Sequence, residues 1–148
     1  MYGTKNGIDM YRRTHVTTAD PLKLVVMCYE GAVKNMKTAR EKHLSGEFEA
    51  KGKAILKVHN ILGLLMQSLD FEKGGEVARN LNDLYIYMQR RITEGDLKRD
   101  LKVFDEVISM LEELASGWKE NDSPRPNRIT SSEAARPGEE GVGIAGAY

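Results

Sequence analysis

The sequence predicts an all-α protein, an antiparallel up-down four-helix bundle with a flexible N-terminal segment and a disordered C-terminal tail. Apolar residues recur at alternating spacings of three and four in four successive stretches, which is the pattern of amphipathic helices. The connections between these stretches are short, which favours antiparallel neighbours. Pro21 is the only proline in the first 120 residues, and the other three fall in the last thirty.

The first helix is predicted to begin at Asp20-Pro21, an N-cap residue followed by proline at the first helical position, where the missing N–H costs nothing. Gly46 is a suitable residue to end this helix in a left-handed conformation. The core stripe of the first helix comprises Leu22, Val25, Tyr29, Ala32, Met36 and Ala39. The stripe of the second comprises Phe48, Ile55, Val58, Leu62, Leu65, Met66 and Leu69.

The third helix is predicted to follow a turn at Gly74-Gly75, because glycine takes positive φ values without strain, and to stop at Gly95. Its stripe comprises Val77, Leu81, Leu84, Tyr85, Met88 and Ile92. Asp100 is a suitable N-cap for the fourth helix. That helix carries Phe104, Val107, Ile108, Leu111, Leu114 and Trp118 on one face.

These patterns divide the chain into a flexible N-terminal segment (1–15), a four-helix bundle domain (16–118) and a disordered tail (119–148). The N-terminal segment has no helical pattern, although it carries apolar residues. In the tail, Gly, Pro, Ser, Asn and charged residues replace the helical pattern, which is typical of disorder. A solvated linker is the main interpretation of the tail, and a recognition segment at GVGIAGAY (141–148) is the alternative.

Composition excludes several classes of partner. The 22 Lys and Arg balance the 22 Asp and Glu, so no net charge steers the chain to nucleic acid or to an anionic membrane. No apolar run is long enough for a signal peptide or a membrane span. The single cysteine fits a reducing compartment. We therefore predict a cytoplasmic protein with no nucleic-acid partner and no membrane insertion.

The residue pattern gives no support for enzyme activity, a metal or a cofactor. The three histidines, His15, His43 and His59, lack the spacings of zinc or di-iron sites. Cys28 lies near a core stripe without a charged partner, so an inert buried thiol is the better interpretation. Gly74-Gly75 has neither the preceding strand nor the Lys-Ser/Thr of a phosphate-binding loop.

Apolar side chains also occur away from the core stripes. A helical wheel at about 100° per residue places them on the outer faces or borders of three helices: Leu56, Ile61 and Leu64 on the second, Ile86 and Tyr87 on the third, and Val103 and Met110 on the fourth. Exposed apolar surface on several helices is typical of partner binding. An amphipathic helix laid between two helices is the partner form that fits a bundle.

A wider core is the alternative interpretation of these residues. For Ile61, Val103 and Met110 it is equally good, because they lie on the borders of their stripes. For Leu64 and Ile86 it is poorer, since the outer face of a bundle helix lies in water. Tyr11 and its apolar neighbours in the N-terminal segment are candidates to cover the surface when the partner is absent.

Three stretches closely resemble the FliS family of bacterial flagellar export chaperones: VTTADPLKLVVMCYEGAVKNMKTA (16–39), QSLDFEKGGEVARNLNDLYIYMQRRI (67–92) and FDEVISMLEELASGW (104–118). The similarity runs in colinear order from about Tyr11 to Trp118. Its most specific elements are Ser-Leu-Asp, Gly-Gly-Glu and Asn-Leu in the second stretch. Leu22, which stands where the family usually has a polar residue, and the tail after Asn121 depart from the family pattern.

The resemblance implies a four-helix bundle without enzyme activity that holds flagellin in the cytoplasm. It implies binding of the disordered C-terminal segment of flagellin, prevention of premature polymerisation and delivery to the flagellar type III export gate. Tyr11 matches the family tyrosine that packs on the bundle and yields to flagellin. A competing co-chaperone or regulator stays open. We expect a monomer or weak homodimer; a homo-oligomeric structural or regulatory bundle that uses the same apolar flank for self-association is the alternative.

Overall fold

The computed structural model describes residues 21–122 and 147–148. It contains four α-helices: α1 (Pro21–Leu44), α2 (Phe48–Gln67), α3 (Phe71–Lys98) and α4 (Leu101–Asp122). Each helix packs against the two neighbours expected in a ring, and α1 makes the most extensive contacts, with α2 and α4. Ion pairs join α1 and α4 in opposite order along the chain: Glu30 with Lys119, Lys37 with Glu112, and Arg40 with Asp105. The predicted antiparallel four-helix bundle is confirmed.

The core is formed largely by the predicted stripes. Its fully buried side chains include Tyr29 and Met36 on α1, Val58, Leu62 and Leu65 on α2, Tyr85, Met88 and Ile92 on α3, and Phe104, Val107, Leu111 and Trp118 on α4. The prediction for Phe48 was wrong, since 47% of this residue is exposed. It is the first residue of α2, where its ring lies edge-on to His43 and beneath the cations of Lys51 and Arg99.

Several predicted helix ends are confirmed. For α1, Pro21 is the first described residue and is helical; Asp20, the predicted N-cap, lies outside the described residues, so this start stays a prediction. Gly46 has φ +78° after the end of α1, a value that glycine adopts without strain. The Asp100 carboxylate accepts a hydrogen bond from the Lys102 N–H at 3.1 Å, as an N-cap residue does.

The start of α3 differs from the prediction. Asp70 is its N-cap, and its carboxylate accepts hydrogen bonds from the N–H groups of Glu72 and Lys73, both at 3.0 Å. One helical turn follows, and Gly75 then kinks the helix with φ +49° and ψ −122°. The glycine pair therefore bends α3 one turn after its start instead of preceding it.

Gly95 does not end α3, which continues to Lys98 and ends with Arg99 in the left-handed conformation at φ +54°. A Cβ atom at Gly95 would lie only 2.9 Å from the Cβ of Val103. Gly95 therefore allows α3 and α4 to approach closely. The same contact buries Val103, which is 6% exposed. Of the two interpretations of Val103, the core is confirmed, and its assignment to the partner-binding surface was wrong.

Three buried aromatic residues are hydrogen-bonded at the core. The hydroxyl groups of Tyr29 and Tyr85 are 2.5 Å apart, and the indole N–H of Trp118 donates to the Tyr29 hydroxyl at 3.0 Å. Burial is the main cause that raises the pKa of both tyrosines. These bonds satisfy the polar atoms of the large aromatic side chains, which would otherwise be costly to bury.

Part of the predicted tail is ordered against the bundle. Helix α4 extends to Asp122, four residues beyond the predicted end at Trp118. Ala147 is fully buried, and its carbonyl accepts a hydrogen bond from the Asp70 N–H at 2.7 Å. The Tyr148 ring lies edge-on to Trp118, with centroids 5.2 Å apart, and its hydroxyl is hydrogen-bonded to that of Tyr85. Residues 123–146 lie outside the described residues.

Candidate partner-binding surface

The structure separates the predicted surface residues into three groups. Leu56 and Tyr87 are 59% and 43% exposed. Leu64 and Ile86 are half-buried. Ile61 and Met110 are half-buried and pack against the core, so each contributes to the core as well as to the surface. Tyr11 lies outside the described residues.

Leu56 and Ile86 border the groove between α2 and α3. The Gln89 side-chain amide donates to the backbone carbonyl of His59 at 3.4 Å, which fixes the sides on which these two helices meet. Leu56 precedes His59 by three residues and Ile86 precedes Gln89 by three, so both lie on the same sides of their helices as this contact. The groove therefore carries an apolar side chain from each wall.

Tyr87 and Met110 border the groove on the other side of α3, between α3 and α4. The Tyr87 hydroxyl donates to Glu106 at 2.7 Å, and Met110 lies one helical turn beyond Glu106 on the same side of α4. We call these two grooves, with Leu56, Ile86, Tyr87 and Met110, the α3 grooves. No contact of the Leu64 side chain places it in either groove, and this residue is half-buried.

A polar cluster fixes the edge of the second groove. Glu106 accepts hydrogen bonds from Tyr87 and from Arg91, whose Nη2 lies 2.8 Å from the Glu106 carboxylate. The Tyr87 hydrogen bond and the Arg91 guanidinium both lower the pKa of Glu106. The lowered pKa favours the ionised form of Glu106, which accepts the hydrogen bond that ties the Tyr87 hydroxyl to α4.

Sequence reasoning missed exposed apolar residues near the ends of helices. Leu44 and Leu97 are 65% and 80% exposed, and Phe71 is 46% exposed. Leu97 lay beyond the predicted stop at Gly95, and Phe71 lay in the predicted turn, so neither was placed on a helix. Recognising that α3 begins at Asp70-Phe71 would have required noticing Asp70 as an N-cap residue.

The titratable groups and apolar stretches of the described residues were compared with the requirements of metal sites and membrane spans. In the ranges 21–122 and 147–148, no group of three His, Cys, Asp or Glu side chains is placed to hold a metal ion. Burial raises the pKa of the Cys28 thiol and lowers that of His59, which keeps both groups neutral. None of the described helices is long and apolar enough to cross a membrane. The class that the fold defines is a four-helix bundle with partly exposed apolar side chains along the α3 grooves.

Comparison with known proteins gives the family. The model of the family described as "Flagellar protein FliS" matches residues 4–124. The chain is 38% identical over 122 residues to the flagellar secretion chaperone FliS of Salmonella typhimurium, covering 79% of this chain and 90% of the relative. It is 37% identical over 103 residues to the flagellar secretion chaperone FliSB of Pseudomonas aeruginosa, covering 70% and 82%. The protein belongs to the FliS family, and the predicted resemblance is confirmed.

Proposed function

We propose that this protein is a cytoplasmic export chaperone that binds the disordered C-terminal segment of flagellin. Binding would keep flagellin from polymerising prematurely and deliver it to the flagellar type III export apparatus. The names of the relatives, flagellar secretion chaperones, support the general role. The single observation that carries the binding mode is the pair of α3 grooves, whose apolar side chains the bundle leaves partly or largely exposed.

The physical argument begins with the exposure of Leu56. A leucine that is 59% exposed gains little from folding of the bundle itself. Covering it with an apolar side chain of a partner removes that surface from water, which is favourable by about 25 cal/mol per Å². Since Ile86, Tyr87 and Met110 line the same pair of grooves, a partner helix that crosses them gains this energy at several points.

An amphipathic segment of flagellin is a suitable occupant. A helix laid in a groove places apolar residues at i, i+3 or i+4, and i+7 against the groove walls. Ordering a previously unfolded segment costs at least about 2–5 kcal/mol of the interaction energy. Binding therefore has to be distributed over both grooves, which α3 offers because one groove lies along each of its sides.

The test compares substitutions in the grooves with one outside them. Leu56→Asp and Ile86→Asp place a carboxylate where the partner is proposed to bury an apolar side chain. Each is expected to weaken binding of the organism's own flagellin about 10- to 100-fold, the equivalent of about 1.5–3 kcal/mol. The measurement is isothermal titration calorimetry with full-length flagellin and with flagellin that lacks its C-terminal segment, which should not bind.

Leu44→Asp is the matched control, because Leu44 is 65% exposed and lies at the end of α1, which forms neither wall of the two α3 grooves. It makes the same chemical change and should leave both melting temperature and binding unchanged. If Leu56→Asp and Ile86→Asp melt normally and bind flagellin as the wild type does, the groove assignment is wrong. Light scattering at several concentrations distinguishes the expected monomer or weak dimer from self-association through the same surface.

A further inference from the structure

A contact site of the bundle for residues 147–148 lies where α4 ends and α3 begins. We call it the tail slot and define it by the Asp70 backbone N–H, the Tyr85 hydroxyl and the face of Trp118, which contact Ala147 and Tyr148. Three kinds of interaction meet there: a backbone hydrogen bond, a bond between hydroxyl groups and an edge-to-face ring contact. Together they recognise backbone and side chain of the same short segment.

The bundle forms the tail slot with its own residues. Trp118 is hydrogen-bonded to Tyr29, and Tyr29 to Tyr85, so these three residues have partners independently of Tyr148. The carboxylate of Asp70 caps α3, which fixes the Asp70 backbone while its N–H is directed to the Ala147 carbonyl at 2.7 Å. The donor, the hydroxyl and the ring are thus held in place by the helices.

The chemistry of the slot selects its ligand. The residue bonded to Asp70 is fully buried, so there is space for a small side chain such as that of Ala147. The following residue has to supply an aromatic ring for Trp118 and a hydroxyl for Tyr85. A small residue followed by tyrosine meets these requirements, whereas phenylalanine in the second position would lose the hydroxyl bond.

Ala147-Tyr148 has the features of a ligand more than of a core residue pair. It is separated by about two dozen residues from the end of α4, and it lies beyond the family match, which ends at residue 124. Tyr148 is only half-buried, whereas Trp118, which it covers, is fully buried. Ala147 joins the core cluster that the four helices form, and Tyr148 packs against that cluster from outside the helices.

We infer that the tail slot is a binding site for a peptide with a small residue followed by tyrosine, and that Ala147-Tyr148 is its displaceable ligand within the same chain. When Ala147-Tyr148 occupies the slot, the tail is bound to the bundle. When the pair leaves, Trp118 is exposed and the Asp70 N–H is free for another peptide. This site is separate from the proposed flagellin-binding grooves, and its existence does not depend on the proposed function.

A quantitative expectation follows from tethering. A ligand on the same chain as its site has an effective concentration on the order of millimolar. For the slot to be mainly occupied within the chain, the free peptide has to bind the vacated slot with a Kd below about 1 mM. The peptide GIAGAY, which reproduces residues 143–148, is the probe.

Trp118 is the only tryptophan and reports directly on the slot. In the full-length Tyr148→Ala variant, we expect unchanged far-UV circular dichroism, fluorescence emission at longer wavelength, and an acrylamide quenching constant at least twice that of the wild type. Titration with GIAGAY should reverse both fluorescence changes with saturation below the millimolar range. GIAGAA is the control peptide and should leave the fluorescence unchanged.

Three outcomes would overturn the inference. Unchanged emission and quenching in Tyr148→Ala would mean that Tyr148 does not cover Trp118. A loss of helicity in that variant would mean that Tyr148 is part of the core and not a ligand. If GIAGAY does not bind even at concentrations well above 1 mM, the slot has no affinity of its own for the peptide. The milder variant Tyr148→Phe keeps the ring but loses the hydroxyl bond. GIAGAY should therefore displace the tail of this variant at a lower peptide concentration than it needs to displace the wild-type tail.

Discussion

The close approach of α3 and α4 at Gly95 gives a prediction in which the same substitution has opposite effects at two positions. Gly95→Ala places a Cβ atom 2.9 Å from the Val103 Cβ, 3.0 Å from its Cγ1 and 3.3 Å from the Asp100 carbonyl oxygen. Carbon atoms in van der Waals contact are about 3.5–4.0 Å apart. The two helices therefore have to separate by several tenths of an ångström to admit one methyl group.

The magnitude follows from two opposing contributions. Alanine is favoured over glycine in a helix interior by about 0.8–1.0 kcal/mol, and overpacking a tight contact costs about 1–3 kcal/mol. Gly52 supplies the comparison, because it is an exposed residue of α2 and a Cβ atom there would meet nothing within 4 Å. Gly52→Ala should stabilise the protein by about 1 kcal/mol, and Gly95→Ala should destabilise it by about 1 kcal/mol.

Urea denaturation followed by circular dichroism measures both free energies of unfolding. The difference between the two variants, about 2 kcal/mol, equals the steric cost at Gly95, since the gain in helix propensity cancels. For a domain of about 100 residues it corresponds to a gap of roughly 8 °C or more in Tm. If Gly95→Ala stabilises the protein as much as Gly52→Ala does, close approach is not the reason for glycine at this position.

Three further predictions concern buried groups. Asp96→Asn removes the carboxylate that lies 2.7 Å from the buried Lys51 ammonium. It should lower the free energy of unfolding in urea by about 1–3 kcal/mol, with the lower part of the range reflecting the partial exposure of Asp96. Lys51→Met removes the buried charge itself and should be nearly neutral, so equal effects of the two variants would refute the reasoning. Tyr29→Phe leaves the buried indole N–H of Trp118 without its acceptor and should lower the free energy of unfolding by about 1–3 kcal/mol, whereas a change below the error of the fit would mean that another acceptor replaces it. Leu62→Ala creates a cavity at a fully buried position and should cost about 2–5 kcal/mol; a smaller loss in thermal melting would show that the core collapses around the site.

Local sequence patterns predicted most of the fold, because apolar periodicity and helix-capping residues each depend on a short stretch of chain. The period of apolar residues places Leu62 and Tyr85 in the core, and both are fully buried. Gly46 follows the end of α1 because glycine adopts the left-handed conformation easily. Asp100 precedes α4 because its carboxylate accepts a hydrogen bond from the first turn of the helix. These features depend on neighbours within one or two helical turns, so a single sequence is sufficient to recognise them.

The features that the sequence did not predict depend on contacts between distant residues. Gly95 looks like a helix stop, yet it is explained by Val103 on the next helix. The contact of Ala147-Tyr148 with the bundle involves two described residues, which have no periodicity to detect, so the sequence offered a recognition segment at 141–148 only as the alternative to a solvated linker. For the candidate surface, the wheel predicted the exposure of Leu56, but it placed border residues such as Met110 equally well in the core, and both descriptions apply to it.

The uneven packing of the bundle has a consequence for its motions. Helix α3 is the longest of the helices between residues 21 and 122 and is interrupted at Gly75, and it makes less extensive contacts with its neighbours than α1 does. Segments with fewer tertiary contacts open at lower free energy than the rest of a protein. Amide hydrogens of α3 should therefore exchange with deuterium before those of α1.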